Sequence, residues 1–245
     1  MKKIISFFLC ALLILSMCAM SACSGKAETL KLGLGVYTST EDGTNANGEV
    51  KGKGQFTTTA AAVLLDADGK IVKCVIDTAD FSAEYTSAGK YVAINDFKTK
   101  YELGDAYGMK AYGGAAKEWF EQVDALTSVA TGKTLDEVKQ LVTDKGYGND
   151  DVVNAGCTIT VSDFIYALEA AVKAATDSDA TADSSLKLKI TTSQSGKDAT
   201  ADAKGYNQLT ANITVEALDA DSKAVASRND TADAKFSFDA AGAAK

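Results

Sequence analysis

Residues 52 to 90 align without a gap to residues 205 to 243 of the same 245-residue chain, with identical residues at 15 of 39 positions. No local motif constrains the fold as strongly, because a duplicated unit must fold twice along similar lines and bury an apolar face each time. The matches include Asp66-Ala67-Asp68 with Asp219-Ala220-Asp221, and Asp77-Thr78-Ala79-Asp80 with Asp230-Thr231-Ala232-Asp233. The run LKLGL from Leu30 likewise has a counterpart, LKLKI, from Leu186.

Each unit reads as a β-meander. Leu30 to Tyr37 alternates apolar and polar residues, Phe56 to Leu65 is rich in Thr and Val, and Lys70 to Asp77 makes a third strand. Asp66-Ala67-Asp68-Gly69 supplies the turn between the last two, since Asp and Gly tolerate the left-handed backbone of a tight hairpin. The fragment D-x-D-G is shared with calcium loops, but no glutamate follows at EF-hand spacing, and these aspartates read as turn formers.

Between the repeats lie helical patterns. Ala115 to Ala130 puts Trp119, Phe120, Val123 and Leu126 on one face. Thr134, with Glu137 reaching back, opens a second helix whose stripe is Leu135, Val138, Leu141 and Val142, and Gly146 ends it. A third runs from Ser162, its N-cap, to Ala175 with Phe164, Ile165, Leu168 and Val172 inward. The expected fold class is α+β: an antiparallel β-meander sheet packed with about three helices, followed by a partial second copy of the β unit. Residues 30 to 175 form the α+β module and the polar stretch 176 to 185, TDSDATADSS, is a linker. Residues 186 to 245 form the partial repeat. Its third strand, Ala224 to Asn229, has only Val225 as a large apolar residue, so the repeat is expected to need the first module as a packing partner.

The beginning of the chain carries an address. Two lysines, an apolar run from Ile4 to Ala19, and Met20-Ser21-Ala22 ahead of Cys23 read as a lipoprotein export signal, residues 1 to 22, with lipid on Cys23 and an anchor linker over 23 to 29. The expected location is the extracytoplasmic face of the cell membrane, reached through the acyl chains on Cys23. No second apolar run approaches the ~20 residues that span a bilayer.

Composition then excludes whole classes. The chain has no histidine, which removes Ser-His-Asp, Cys-His and HExxH chemistry. A net charge of −8 with no basic cluster after the signal argues against nucleic acid. Cys74 and Cys157 are the cysteines of the folded part; export permits a disulfide between them, while Cys74 in the alternating run Ile71 to Ile76 also suits a buried free thiol. The glycine and tyrosine stretch Leu103 to Gly114 could wall a ligand cleft or simply connect elements.

One segment suggests a cofactor. Asp151-Val152-Val153-Asn154-Ala155-Gly156-Cys157-Thr158-Ile159-Thr160 leads into the third helix and resembles the D-x-x-S-G-A-T-x-T entry of FMN-binding domains, the covalent flavin modules of sodium-pumping quinone reductase, its Rnf relatives and Gram-positive flavin lipoproteins. The resemblance implies FMN esterified through its phosphate to Thr158, with Gly156, Thr160 and Asp151 as the other matching positions. Ala155 and Cys157 depart from the family's serine and alanine. A hydroxyl beside a glycine just ahead of a helix is also a generic place to receive phosphate.

The function read from the sequence is a membrane-anchored extracytoplasmic lipoprotein acting as a non-catalytic binding or accessory module, its partner a small molecule or an envelope protein. The alternatives are an FMN-carrying electron-transfer lipoprotein, with flavin on Thr158, and a structural or adhesive surface repeat protein.

Overall fold

The computed structural model describes residues 28–94 and 97–245. The signal segment, Cys23 and most of the linker expected above lie outside the described residues.

The molecule is mixed α+β. Strands β1 (Thr29–Thr44), β2 (Gly52–Leu65), β3 (Ile71–Tyr85) and β4 (Tyr91–Val92) are followed by six short helices. These are α1 (Lys100–Leu103), α2 (Met109–Gly113), α3 (Trp119–Ala130), α4 (Leu135–Lys139), α5 (Asp150–Ala155) and α6 (Ser162–Lys173). Strands β5 (Thr176–Thr181), β6 (Ser185–Lys197), β7 (Gly205–Leu218) and β8 (Ala224–Phe238) complete the chain. They form a five-stranded sheet in the order β4-β3-β2-β1-β5 and a three-stranded sheet in the order β6-β7-β8, with every neighbouring pair antiparallel.

The two sheets repeat each other in register. Gly52 lies opposite Tyr85 as Gly205 lies opposite Phe238, and the β-bulge between Leu64 and Leu65 recurs between Ala217 and Leu218. The turns repeat too. Asp66 Oδ1 accepts the N–H groups of Asp68 and Lys70, as Asp219 Oδ1 accepts those of Asp221 and Lys223. These side chains replace backbone partners that a tight turn leaves unpaired. The D-T-A-D segments repeat their roles as well. Asp77 and Asp230 each accept the N–H of the following threonine, and Asp80 and Asp233 each accept a hydroxyl from the neighbouring strand, Thr57 and Thr210. Only the first strands depart from the sequence alignment. Lys31 and Ser185 hold equivalent positions, opposite Leu65 and Leu218, so Leu32 and not Leu30 corresponds to Leu186.

The sheets face each other about an approximate two-fold axis. The N–H of Ala46 donates to Gly242 O at 2.7 Å, and the equivalent Ala199 donates to Gly89 O at 2.7 Å. Ala244 N–H donates to Asn45 Oδ1, and Tyr91 N–H donates to Asp198 Oδ1. Such reciprocal contacts characterise an isologous interface, here formed within one chain. Between the sheets lies a core of Leu32, Phe56, Leu64, Phe81, Leu209 and Ile213 with smaller neighbours, all buried.

The outer faces differ. Gly33 and Gly35 of β1 let α6 lie directly on the sheet, because a Cβ at either position would collide with the backbone of Ala171. Beside them Ala61, Val63 and Ile76 meet Trp119, Val123, Leu126, Ile165 and Leu168 in a second core. On the other sheet Lys187 and Lys189 stand at the glycine positions, and Thr214, Glu216 and Asn229 at those of Ala61, Val63 and Ile76. That face is polar and solvated.

Several expected details are corrected. Thr176–Thr181, expected inside the linker 176 to 185, is the edge strand β5, paired with β1 at Lys31 and Leu32. Its polar residues face solvent while Ala180 is buried between the sheets, a pattern too faint to announce a strand. Six helices replace three, because α1, α2 and α5 are too short to show a period. Helix α3 starts at Trp119 rather than Ala115, with the Glu118 N–H held by Glu121 Oε2. Helix α4 ends at Lys139, and Gly146 is instead the left-handed residue of a turn, φ 83°, whose N–H reaches Thr143 O. Ser162 does not cap α6; Val161 precedes the helix and the Ser162 hydroxyl donates to Gly146 O. Cys74 and Cys157 are free thiols.

Candidate functional site

Thr158 lies in the six-residue connection between α5 and α6, and the local sequence explains its exposure. Asn149 caps α5 by accepting the Val152 N–H, and Asp150 and Asp151 in the first turn complement the helix's positive end. Gly156 ends the helix with φ 105°, a backbone that a side chain disfavours, and its N–H donates to Val153 O. Cys157 is then buried in the helical core while Thr158 emerges at the surface. Alternation of one buried and one exposed residue therefore presents the threonine hydroxyl.

A second element fixes it. The backbone N–H and the hydroxyl of Thr158 both donate to Gln122 Oε1, at 2.9 and 3.1 Å. Gln122 sits on the inner face of α3 and is 1% exposed. Its Nε2 donates to Lys117 O at 3.2 Å and touches Met109 Sδ at 3.9 Å. A buried amide is costly unless its groups are satisfied, and this one is satisfied by Thr158 on one side and the start of α3 on the other.

A cation lies alongside. Lys117 Nζ donates to Ala155 O at 3.1 Å and passes directly over Gly156, where a Cβ would collide with it. Behind it the carboxylate of Glu118, 2% exposed, accepts the N–H groups of Met109 and Lys110 at the start of α2. Helix α2 and the loop of glycines and tyrosines thus pack on the same end of α3 that holds Thr158.

No family model matches the chain, and no solved structure matches it. Among curated proteins, a chlorophenol reductase of Desulfitobacterium hafniense is 34% identical over 126 residues. That alignment covers 46% of this chain, and the chain spans 38% of the relative's length.

Of the four cofactor positions read from the sequence, Gly156 and Thr158 meet at one surface with Lys117 and Gln122. Thr160 is exposed and bridges Tyr147 backbone to backbone, two residues beyond the one that bonds Gln122. Asp151 stays on the exposed first turn of α5 as a helix-end charge. Sequence reasoning missed Gln122, Lys117 and Glu118. The signal for Gln122 was a lone amide inside the stripe Trp119, Val123, Leu126, where an apolar residue would otherwise be expected.

Proposed function

We propose that this chain is a membrane-anchored extracytoplasmic accessory module that carries FMN, esterified through its phosphate to Thr158, and passes electrons without catalysing a reaction of its own. The observation that carries this reading is Thr158, an exposed residue whose hydroxyl is oriented by the buried Gln122.

The residues fit such a group. Thr158 is an exposed residue whose hydroxyl is held at a fixed place by Gln122 before any bond forms. Lys117 brings a positive charge to the same edge, which favours a phosphate there. Gly156 keeps the approach free of a side chain and leaves space for the lysine. After esterification the Thr158 oxygen has no proton to give, and its backbone N–H still holds Gln122 Oε1. Bound FMN would supply one- and two-electron transfer. The relative named a chlorophenol reductase supports a redox setting, and the lipoprotein signal supports export and anchoring through Cys23.

The test is an absorbance spectrum and intact mass of the exported protein, made together with a flavin transferase, beside Thr158→Ala. A flavin band and a mass increase of one FMN ester, both absent in Thr158→Ala, are the expected result. A colourless protein of unmodified mass under those conditions sinks the reading.

A further inference from the structure

Strand β4 leaves β3 after two residue pairs, Tyr85 with Tyr91 and Glu84 with Val92. A continuing ladder would next pair Ala83 with Ala93 and Ser82 with Ile94, and the second sheet prevents it. Gln194 of β6 accepts the Ile94 N–H on Oε1 at 2.7 Å and donates from Nε2 to Val92 O at 3.0 Å. The chain is thereby drawn toward the second sheet, and the β3 edge at Ser82 is left open.

The opening is a pocket of about 420 Å³ between β3, the chain that continues from β4, and α1. Its floor is aromatic. Phe56, Phe81 and Phe97 stack in series, with centroids 5.5 and 4.7 Å apart and planes 24° and 14° from parallel, and the last two reach the pocket. The series belongs to the first β unit alone, because Leu209 and Ala234 stand at the positions of Phe56 and Phe81 in the second. Ring faces of this kind offer flat apolar area on which a further ring can stack.

The polar groups of the wall fall into two sets. Glu84 is paired with Lys51 at 2.7 Å, and Asp80 with Lys100 at 3.0 Å and with the Thr57 hydroxyl at 2.9 Å, so both carboxylates are already matched. Ser82 and Lys98 remain. The Thr86 N–H donates to Lys90 O, on the side away from β2. By the alternation of an antiparallel ladder, the N–H and C=O of Ser82 also turn away from β2, into the opening. Among the described residues that N–H has no partner, the Ser82 hydroxyl makes no hydrogen bond, and Lys98 makes no ion pair. An N–H, a hydroxyl and an ammonium group thus border an aromatic floor, and donors of this kind are matched by an anionic oxygen.

We propose that this pocket binds a small planar aromatic carboxylate, with its ring against Phe97 and Phe81 and its oxygens on Lys98 Nζ and on the N–H and hydroxyl of Ser82. The volume lies at the low end for small-molecule sites, which suits a compact ligand. Stacking supplies the apolar part of the affinity, and Lys98 with Ser82 selects the anion. The inference does not depend on the flavin reading.

The probe is naphthoate, titrated into the full-length protein by calorimetry and amide NMR, beside the neutral naphthalenemethanol. Saturable binding at one site is expected, with the Ser82 amide resonance shifted. The alcohol should bind about tenfold more weakly, and Lys98→Gln should weaken naphthoate by about the same factor, since each removes a charge-assisted hydrogen bond. Ala93→Trp, which sets an indole in the opening from an exposed position, should abolish binding at an unchanged melting temperature. The proposal is overturned by absence of saturable binding, by equal affinity for the alcohol, or by binding indifferent to Lys98→Gln or to Ala93→Trp.

Discussion

Tyr85 and Phe238 stack with ring centroids 4.5 Å apart and planes 12° from parallel, and the two residues hold the same position in the two β units. The pair lies where the approximate two-fold relation brings equivalent strand ends together. Both side chains are fully buried, and the Tyr85 hydroxyl donates to Thr44 O at 2.7 Å. The second sheet is thus clamped to the first at this end as well as along the central core.

Phe238→Ala should destabilise the protein by roughly 3–5 kcal/mol, because it removes a buried ring and leaves a cavity at a contact that cannot collapse without moving a sheet. Urea unfolding at constant pH measures it. A loss below ~1 kcal/mol would show that the sheets are not joined through this pair.

Ser222 has φ 61°, the one non-glycine among the described residues with positive φ, at the turn position where the first unit has Gly69 with φ 75°. The left-handed conformation costs a side chain about 1 kcal/mol. Ser222→Gly should therefore raise stability only slightly, by at most ~0.5 kcal/mol, after the extra freedom of glycine in the unfolded chain is discounted. A destabilised variant contradicts the turn assignment.

Asp77 links pH to stability. Its Oδ1 accepts the N–H groups of Thr78 at 2.7 Å and Tyr101 at 3.1 Å, tying α1 to β3. Burial pushes its carboxyl up to about 6 from the ordinary 3.8, although hydrogen bonds from Thr99, Tyr101 and Thr78 pull the other way. Since the folded value is raised, the protonated form is the one that favours folding. Its contribution is fully present below about 3.8 and is lost as pH rises through about 6, a change of ~3 kcal/mol at most. Asp77→Asn keeps the accepting oxygen and removes the titration. Its stability relative to the parent should improve between about pH 4 and pH 7.5, and a difference that does not vary with pH would falsify this account.

The two thiols should be inert in the folded protein. Burial pushes Cys74 up to about 12 and Cys157 up to about 11, so almost no thiolate exists near neutrality. A thiol reagent at about pH 8 should label neither residue natively and both in urea. Rapid native labelling of Cys157 would place it at the surface, and with it a different path for the chain ahead of Thr158.

The parts of this fold that sequence reasoning reached are those with a strong local period or turn chemistry. Strands β2 and β7, the Asp66 and Asp219 turns, and the apolar faces of α3 and α6 belong here. What escaped it depends on a partner distant in the chain. Strand β5 has one buried residue, Ala180, and is a strand only because β1 offers an edge. Helices α1, α2 and α5 are one turn or so long and are held by Asp77, Glu118 and Asn149. Thr158 was visible through its motif, but Gln122 on α3 and Lys117 just ahead of it, which orient and charge its surroundings, lie 36 and more residues earlier. The outer-face difference between the sheets was present as Gly33 and Gly35 against Lys187 and Lys189, and became interpretable only with the strand register.

The central claim is that Thr158 carries the flavin. Peptide mapping with fragmentation of the full-length protein, made in the presence of a flavin transferase, locates any phosphoester directly. The account predicts one FMN group on the peptide spanning residues 146 to 173, with every fragment assigning it to Thr158 and none to Thr160. An unmodified Thr158, whether the group sits on another residue or the protein carries none, contradicts it.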